Sequence, residues 1–205
     1  MILFRSNATF LFFRVLVTML LISKLSHAYL TSSFDVNVGQ SSFSAKTSND
    51  SRTIGSFSTI EMNYCLRNSS MGLAYAMSFF EVVNSKEGAL ALTRFSVGPR
   101  YYPMGMNGNK VIIDNDVVAK IWKATPYIGG SMGLTNISTQ VYNASMFDLG
   151  FRFGVEIPLT PRLLLNAQYG FSESFGSSSV GDAKNISYSG TVATVGIIIS
   201  GVGEM

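Results

Sequence analysis

Along most of the chain, apolar residues fall at every second position. Neighbours in a β-strand point to opposite faces, so this period marks strands with one apolar and one polar face. The clearest case is FDLGFRFGVEI (147–157). Its odd positions are Phe147, Leu149, Phe151, Phe153, Val155 and Ile157, and the charges Asp148, Arg152 and Glu156 fall on even ones. Eight such segments are expected between breaks rich in Gly, Ser and Asn: about 33–45, 55–67, 71–83, 90–102, 120–134, 141–157, 162–174 and 186–200. In the second, Ile60, Met62, Tyr64 and Leu66 oppose Glu61, Asn63, Cys65 and Arg67. In the fourth, Phe95, Val97 and Tyr101 oppose Arg94, Ser96, Gly98 and Arg100. The first segment is the weakest, and Leu90, Leu92, Leu164 and Ile198 put apolar side chains on polar faces. GMNGNKVIIDNDVVAK (105–120) reads either as a strand extension or as a small extra element. No segment has the 3.6-residue period of an amphipathic helix.

A sheet in lipid must pair every backbone group, and strands achieve this only by closing on themselves. The expected architecture is therefore all-β, an eight-stranded antiparallel up-and-down transmembrane β-barrel with apolar side chains outside and polar ones inside. In so narrow a barrel the interior is filled by side chains. Six charges are expected there: Glu61, Arg94, Arg100, Asp148, Arg152 and Glu156. Phe147, Leu149, Phe151, Phe153, Val155 and Ile157 are expected to face lipid. Tyr101, Tyr102, Trp122, Tyr169 and Phe171 fall where an aromatic girdle would sit. The polar connections at about 45–53 and 173–185 read as long loops at one end of the barrel, and RNSS (67–70) and PLTPR (158–162) as tight turns at the other.

Composition bears on the choice between a membrane barrel and a soluble, lipocalin-like one with apolar side chains inside. Charged residues are only 13% of the chain, against ~25% in ordinary soluble domains. The polar faces, rich in Gly and Ala, would make a poor solvated exterior, and the leucines and aromatic rings opposite are too bulky for an eight-stranded lumen. Residues 1–28 read as a secretory signal peptide: Arg5 and Arg14, an apolar VLVTMLLIS (15–23), and small Ser26 and Ala28 before the cleavage point. The apolar run is shorter than the ~20 residues a spanning helix needs. Cleavage would leave residues 29–205 as the barrel domain and take the formal charge from +3 to zero. No basic surface for nucleic acid would remain.

Three stretches carry a family resemblance: GPRYYP (98–103), ATPYIGGSMGL (124–134) and GFRFGVEIPLTPRLLLNAQYGFS (150–172). They resemble the small outer-membrane β-barrel proteins of Gram-negative bacteria, the OmpA/OmpX-like eight-stranded group. The resemblance implies location in the outer membrane and a structural or surface role, without fixing an activity. One departure is the ending IIISGVGEM, which lacks the terminal aromatic residue usual in that group.

Candidate chemistry is sparse. The single histidine, His27, lies in the signal segment, so Ser–His and Cys–His nucleophile pairs are excluded from the mature chain. Asp148 and Glu156 are eight residues apart on one strand, about 26 Å at strand rise, too far for joint acid–base work. Pairing of Glu61 with Arg94 or Arg152 is the better expectation. Asp114, Asn115 and Asp116 lack the pattern of a calcium loop and read as a turn. Cys65 reads as a small apolar filler. Asn-x-Ser sites at Asn68, Asn136, Asn143 and Asn185 follow from a chain rich in both residues. The expectation is a non-enzymatic protein without cofactor or metal. Its partners would be membrane lipid and a surface, host or matrix ligand met by the loops. The alternatives are a narrow solute channel and a soluble periplasmic lipid-binding barrel.

Overall fold

The computed structural model describes residues 30–46, 51–68, 72–83, 91–108, 110–113, 117–138, 143–180 and 187–201. The expected signal peptide 1–28, Leu90, the turn at 114–116 and Asn185 lie outside them. The described residues form ten strands: β1 (Leu30–Lys46), β2 (Ser51–Asn68), β3 (Leu73–Val83), β4 (Ala91–Tyr101), β5 (Lys110–Ile113), β6 (Val117–Lys120), β7 (Thr125–Ser138), β8 (Asn143–Thr160), β9 (Leu163–Val180) and β10 (Ser187–Ser200). No helix occurs among the described residues. Eight strands close into one antiparallel barrel, in the order β1-β10-β9-β8-β7-β4-β3-β2. The ambiguous segment at 105–120 contributes β5 and β6, which pair only with each other.

Several boundaries differ from the sequence reading. The first segment, weak in pattern, is a full 17-residue strand. The fifth starts later, at Thr125, and continues to Ser138. The two connections expected to be long polar loops are mostly strand: β2 begins at Ser51 and β9 runs to Val180. Their Ser and Gly residues are poor strand formers alone, but ladder pairing with neighbours overrides that preference.

Register fixes the shape. Paired residues lead round the barrel from Phe34 through Tyr64, Met77, Val97, Met132, Leu149, Glu173 and Ser189, and return to β1 at Ser44. The circuit starts at residue 34 and closes at residue 44, a shear of ten. Eight strands with that stagger tilt by about 40° from the barrel axis and enclose only enough room for side chains. Crowding shows at Gly98, where an added Cβ would sit 1.9 Å from the Gly130 carbonyl oxygen. Here the β4–β7 ladder skips between Val97 and Arg100, and only glycine permits so close a backbone approach.

Facing reverses part-way up the wall. We call the end with the β1–β2 and β8–β9 strand tips at Lys46, Ser51, Asn143 and Val180 the upper end. The lower end carries the turn 161–162 between β8 and β9. Over the lower two-thirds the outer wall is apolar and the inner wall polar. On β1, Phe34, Val36 and Val38 are exposed, while Asp35 and Asn37 are buried. Higher on the same strand, exposed Gln40 replaces the apolar residues outside and buried Phe43 replaces the polar ones inside. The same exchange occurs on β2 (Ser58 outside, Phe57 inside), β3 (Glu81, Val82), β4 (Thr93, Leu92), β7 (Asn136, Ile137), β8 (Ser145, Met146) and β10 (Ser189, Tyr188). The barrel thus has two cores: a polar one low down and an apolar one at the top.

Candidate functional site

The barrel interior is where the chemistry-bearing side chains converge. Closure places alternate residues of all eight strands on one axis, so residues far apart in sequence meet across it. Eight charged side chains are buried there among the described residues: Asp35, Glu61, Asp148 and Glu156, with Arg67, Arg94, Arg100 and Arg152. They form four ion pairs stacked along the axis.

Lowest is Arg67 of β2 with Glu156 of β8, on opposite walls. Arg67 donates from both terminal nitrogens to the carboxylate, at 3.0 and 2.8 Å, and from Nε to Ser33 at 2.9 Å. The Tyr102 hydroxyl donates to the same carboxylate at 2.6 Å. Above it, Arg100 donates to Asp35 at 2.8 Å, and its guanidinium stacks 5.1 Å from the Tyr127 ring centre. Cys65 is fully buried, its Sγ 3.8 Å from the Asp35 carboxylate. Next, Arg152 meets Glu61 at 2.5 Å, and Gln168 donates to the other Glu61 oxygen. Asn63, with its amide nitrogen toward Glu61 and its oxygen toward Arg100, links this pair to the one below. Highest, Arg94 contacts Asp148, whose second oxygen accepts from Thr135 at 2.5 Å. Thr135 also contacts the Tyr188 hydroxyl at 2.9 Å.

Both ends of this column are closed. On top sits the apolar cluster of Phe43, Phe57, Phe80, Val82, Leu92, Ile137, Ala144, Met146 and Tyr188. Phe43 touches three rings of it, those of Phe57, Phe80 and Tyr188, at centroid distances of 6.3–6.4 Å. At the bottom, the segment after β4 turns back into the opening. Gly105 and Gly108 take the left-handed conformations the reversal needs. Asn107 clamps the reversal to Lys123 and Thr125. Tyr102 and Met106 are thereby buried against Ala74 and Tyr127. Tyr127 lies directly over Gly154, the residue it pairs with on β8.

The structure places Glu61, Arg94, Arg100, Asp148, Arg152 and Glu156 in this interior, and Glu61 meets Arg152 rather than Arg94. On the outside, Phe147, Leu149, Phe153 and Ile157 are exposed, with Phe151 and Val155 half-buried among them. Two interior charges were passed over: Arg67, although it lies on the polar face of its strand, and Asp35, in the segment of weakest pattern. Tyr102 requires a correction, since it is 1% exposed and hydrogen-bonded inside the barrel rather than at its rim. Its neighbour Tyr101, with Trp122, Tyr169 and Phe171, is exposed on the outside. Leu92, Leu164 and Ile198, apparent defects in the polar faces, are buried inside.

The arrangement pairs charge with charge. Each carboxylate is held by a guanidinium, and no group of three or more His, Cys, Asp or Glu residues able to hold a metal occurs among the described residues. No protein-family model matches the chain, and no curated protein matches it by sequence. Solved structures do match. Neisserial surface protein A aligns over 81% of this chain and 96% of its own, with TM-score 0.56 and 17% identity. The outer membrane protein OprG from Pseudomonas aeruginosa aligns over 84% and 97%, with TM-score 0.51 and 11% identity. The fold is that of a small outer-membrane barrel. At such identities this outer-membrane-type barrel shares an architecture with its neighbours, while its charge pairs and apolar cap are read from its own residues.

Proposed function

We propose that the chain is a non-enzymatic outer-membrane protein of a Gram-negative bacterium, exported by residues 1–28 and acting at the cell surface through its upper hairpins. The observation that carries this reading is the reversal of inside and outside polarity at one level around the wall. Below that level, the row containing Phe147, Leu149, Phe151, Phe153, Val155 and Ile157 faces lipid. On β9 the outward apolar row runs from Leu163 to Phe171, which at strand rise and about 40° of tilt spans roughly 20 Å. That approaches the ~25 Å belt of outer-membrane barrels. Above the level, the wall outside carries Ser, Thr, Asn, Gln and two carboxylates, Glu81 and Glu173, as a surface in water does. The strands there hold an apolar core of their own, so they present that surface as a stiff platform to a ligand, host or matrix molecule.

The filled lumen speaks against the channel reading. Its four arginines and four carboxylates are mutually paired, and the apolar cap leaves no wet path at the top. A soluble lipid-binding barrel would need its apolar wall inside, and the lower wall is apolar outside. The reading is tested by fractionation and by gel mobility before and after boiling. Recovery in the membrane fraction with a heat-dependent mobility shift is expected, as is labelling of intact cells at an epitope placed within 181–186. Recovery in the soluble periplasm overturns the proposal.

A further inference from the structure

The outer wall is uneven in one place. Ala193 and Ala167, on β10 and β9, are the small residues in two adjoining outward rows. One row runs Gln40, Ala193, Tyr169, Phe153, and the other Val38, Val195, Ala167, Val155. Together they line a hollow of about 630 Å³ on the outside of the barrel. Beside it stands a ridge. Phe151 packs edge-on against Phe153 with centroids 4.8 Å apart, and against Phe171 at 5.6 Å. Phe153 and Phe171 are about half exposed. Phe151 and Phe153 stand inside the apolar row of β8, between Leu149 and Val155, whereas aromatic residues of such barrels gather at the belt's edges.

We infer that this face binds a second copy of the same chain, each ridge seated in the other's hollow. The inference rests on the membrane reading above. Ridge and hollow are at the same depth: at a tilt of about 40° a register row climbs ~3 Å per strand, so Ala193 stands ~6 Å above its row-mate Phe153 and level with Phe151, two residues higher on β8. They are also side by side on β8–β10. A twofold axis along the membrane normal, passing between them, brings the ridge of each copy to the hollow of the other at matching depth. Such an isologous contact closes at two copies. Inside lipid there is no hydrophobic drive to associate, and contact depends on close packing at small residues, which Ala167 and Ala193 supply. A cavity of ~150 Å³ accommodates one benzene ring, so the hollow has room for the rings of the ridge. A lipid acyl chain also fills hollows, but it does not require a rigid aromatic ridge of the same depth next to it.

The test uses the full mature chain in vesicles of phosphatidylcholine and phosphatidylglycerol. Donor- and acceptor-labelled copies are mixed at rising lipid-to-protein ratios, with flotation and heat-dependent mobility verifying insertion. Energy transfer above the random level, persisting on dilution, is expected for the native chain. Ala193→Phe fills the hollow, and Phe153→Ala takes from the ridge the ring packed edge-on against Phe151. Each is expected to weaken the dimer about tenfold or more while the mobility shift is retained. Met77→Phe, on β3 across the barrel, is expected to change nothing. An inserted chain that stays monomeric, with quenching by brominated lipid in the hollow, overturns the inference in favour of a lipid occupant. Dimers indifferent to both substitutions overturn it in favour of another face. A chain that fails to float with vesicles overturns the membrane reading instead.

Discussion

Replacing Arg67 by methionine tests whether the lumen is dry. Arg67 gives Glu156 two hydrogen bonds and Ser33 a third, and the two side chains of the pair are 3% and 0% exposed. Without the guanidinium, Glu156 keeps only the Tyr102 hydroxyl, and a carboxylate that cannot reach water loses its counter-charge. Breaking such a pair from one side costs about 3–5 kcal/mol, most of it the penalty of the stranded charge. Removing both partners, as Arg67→Met with Glu156→Met, takes that penalty away and leaves a volume an apolar side chain fills. The double variant is therefore expected within about 1 kcal/mol of the native chain; since either single change strands a buried charge, the double-mutant cycle gives a coupling of about 5 kcal/mol or more. The assay is urea unfolding of the barrel from vesicles, followed by fluorescence of Trp122, the only tryptophan, and by gel mobility. A loss of ~4 kcal/mol moves the midpoint by roughly 2 M urea. If Arg67→Met costs under ~1 kcal/mol and the coupling is near zero, the pair is screened by water. The lumen is then wet, and the case against conduction fails.

Three further outcomes are expected. Phe151→Arg puts a charge among the apolar rings of the outer wall, which on the proposed membrane reading costs ~2–4 kcal/mol near the midplane, whereas Ser145→Arg, on the outer wall above the reversal, is tolerated; equal losses in vesicle unfolding would contradict the assigned level. Planar bilayers containing the native chain show no reproducible openings; reproducible single-channel openings would contradict the filled lumen. Gly154→Ala drives a Cβ to 2.2 Å from the Tyr127 ring and costs about 1–3 kcal/mol by forcing the ring aside; an unchanged unfolding midpoint would show that the ring is free to move.

The strand count and the closed antiparallel architecture were legible in period-two alternation, because a one-residue slip would turn every side chain to the wrong face. The ion pairing was legible only as a choice, Glu61 with Arg94 or Arg152, since shear decides which side chains meet across the axis, and shear is a property of the whole circuit. Nothing local to Glu61 tells that it lies level with Arg152. The apolar cap was missed for a different reason. Each strand was read as having one polar face throughout, so Leu92 looked like an error in the pattern. The signal was present on β1, where Gln40 and Ser42 break the apolar row close to the point at which Phe43 breaks the polar one. Tyr102 could have been placed by the same rule, since consecutive residues of a strand cannot both face outward. Tyr101 was already assigned there.

The seam joining β1 to β10 brings together the strands most distant along the chain, through fourteen paired residues from Ser33 to Lys46. Val38 and Gln40 reach the hollow from one side of that seam, and Ala193 and Val195 from the other. A chain whose last strand has not yet met its first therefore has no complete hollow to offer. Partnering becomes a checkpoint on assembly, because half-finished molecules in the bilayer cannot recruit a mate.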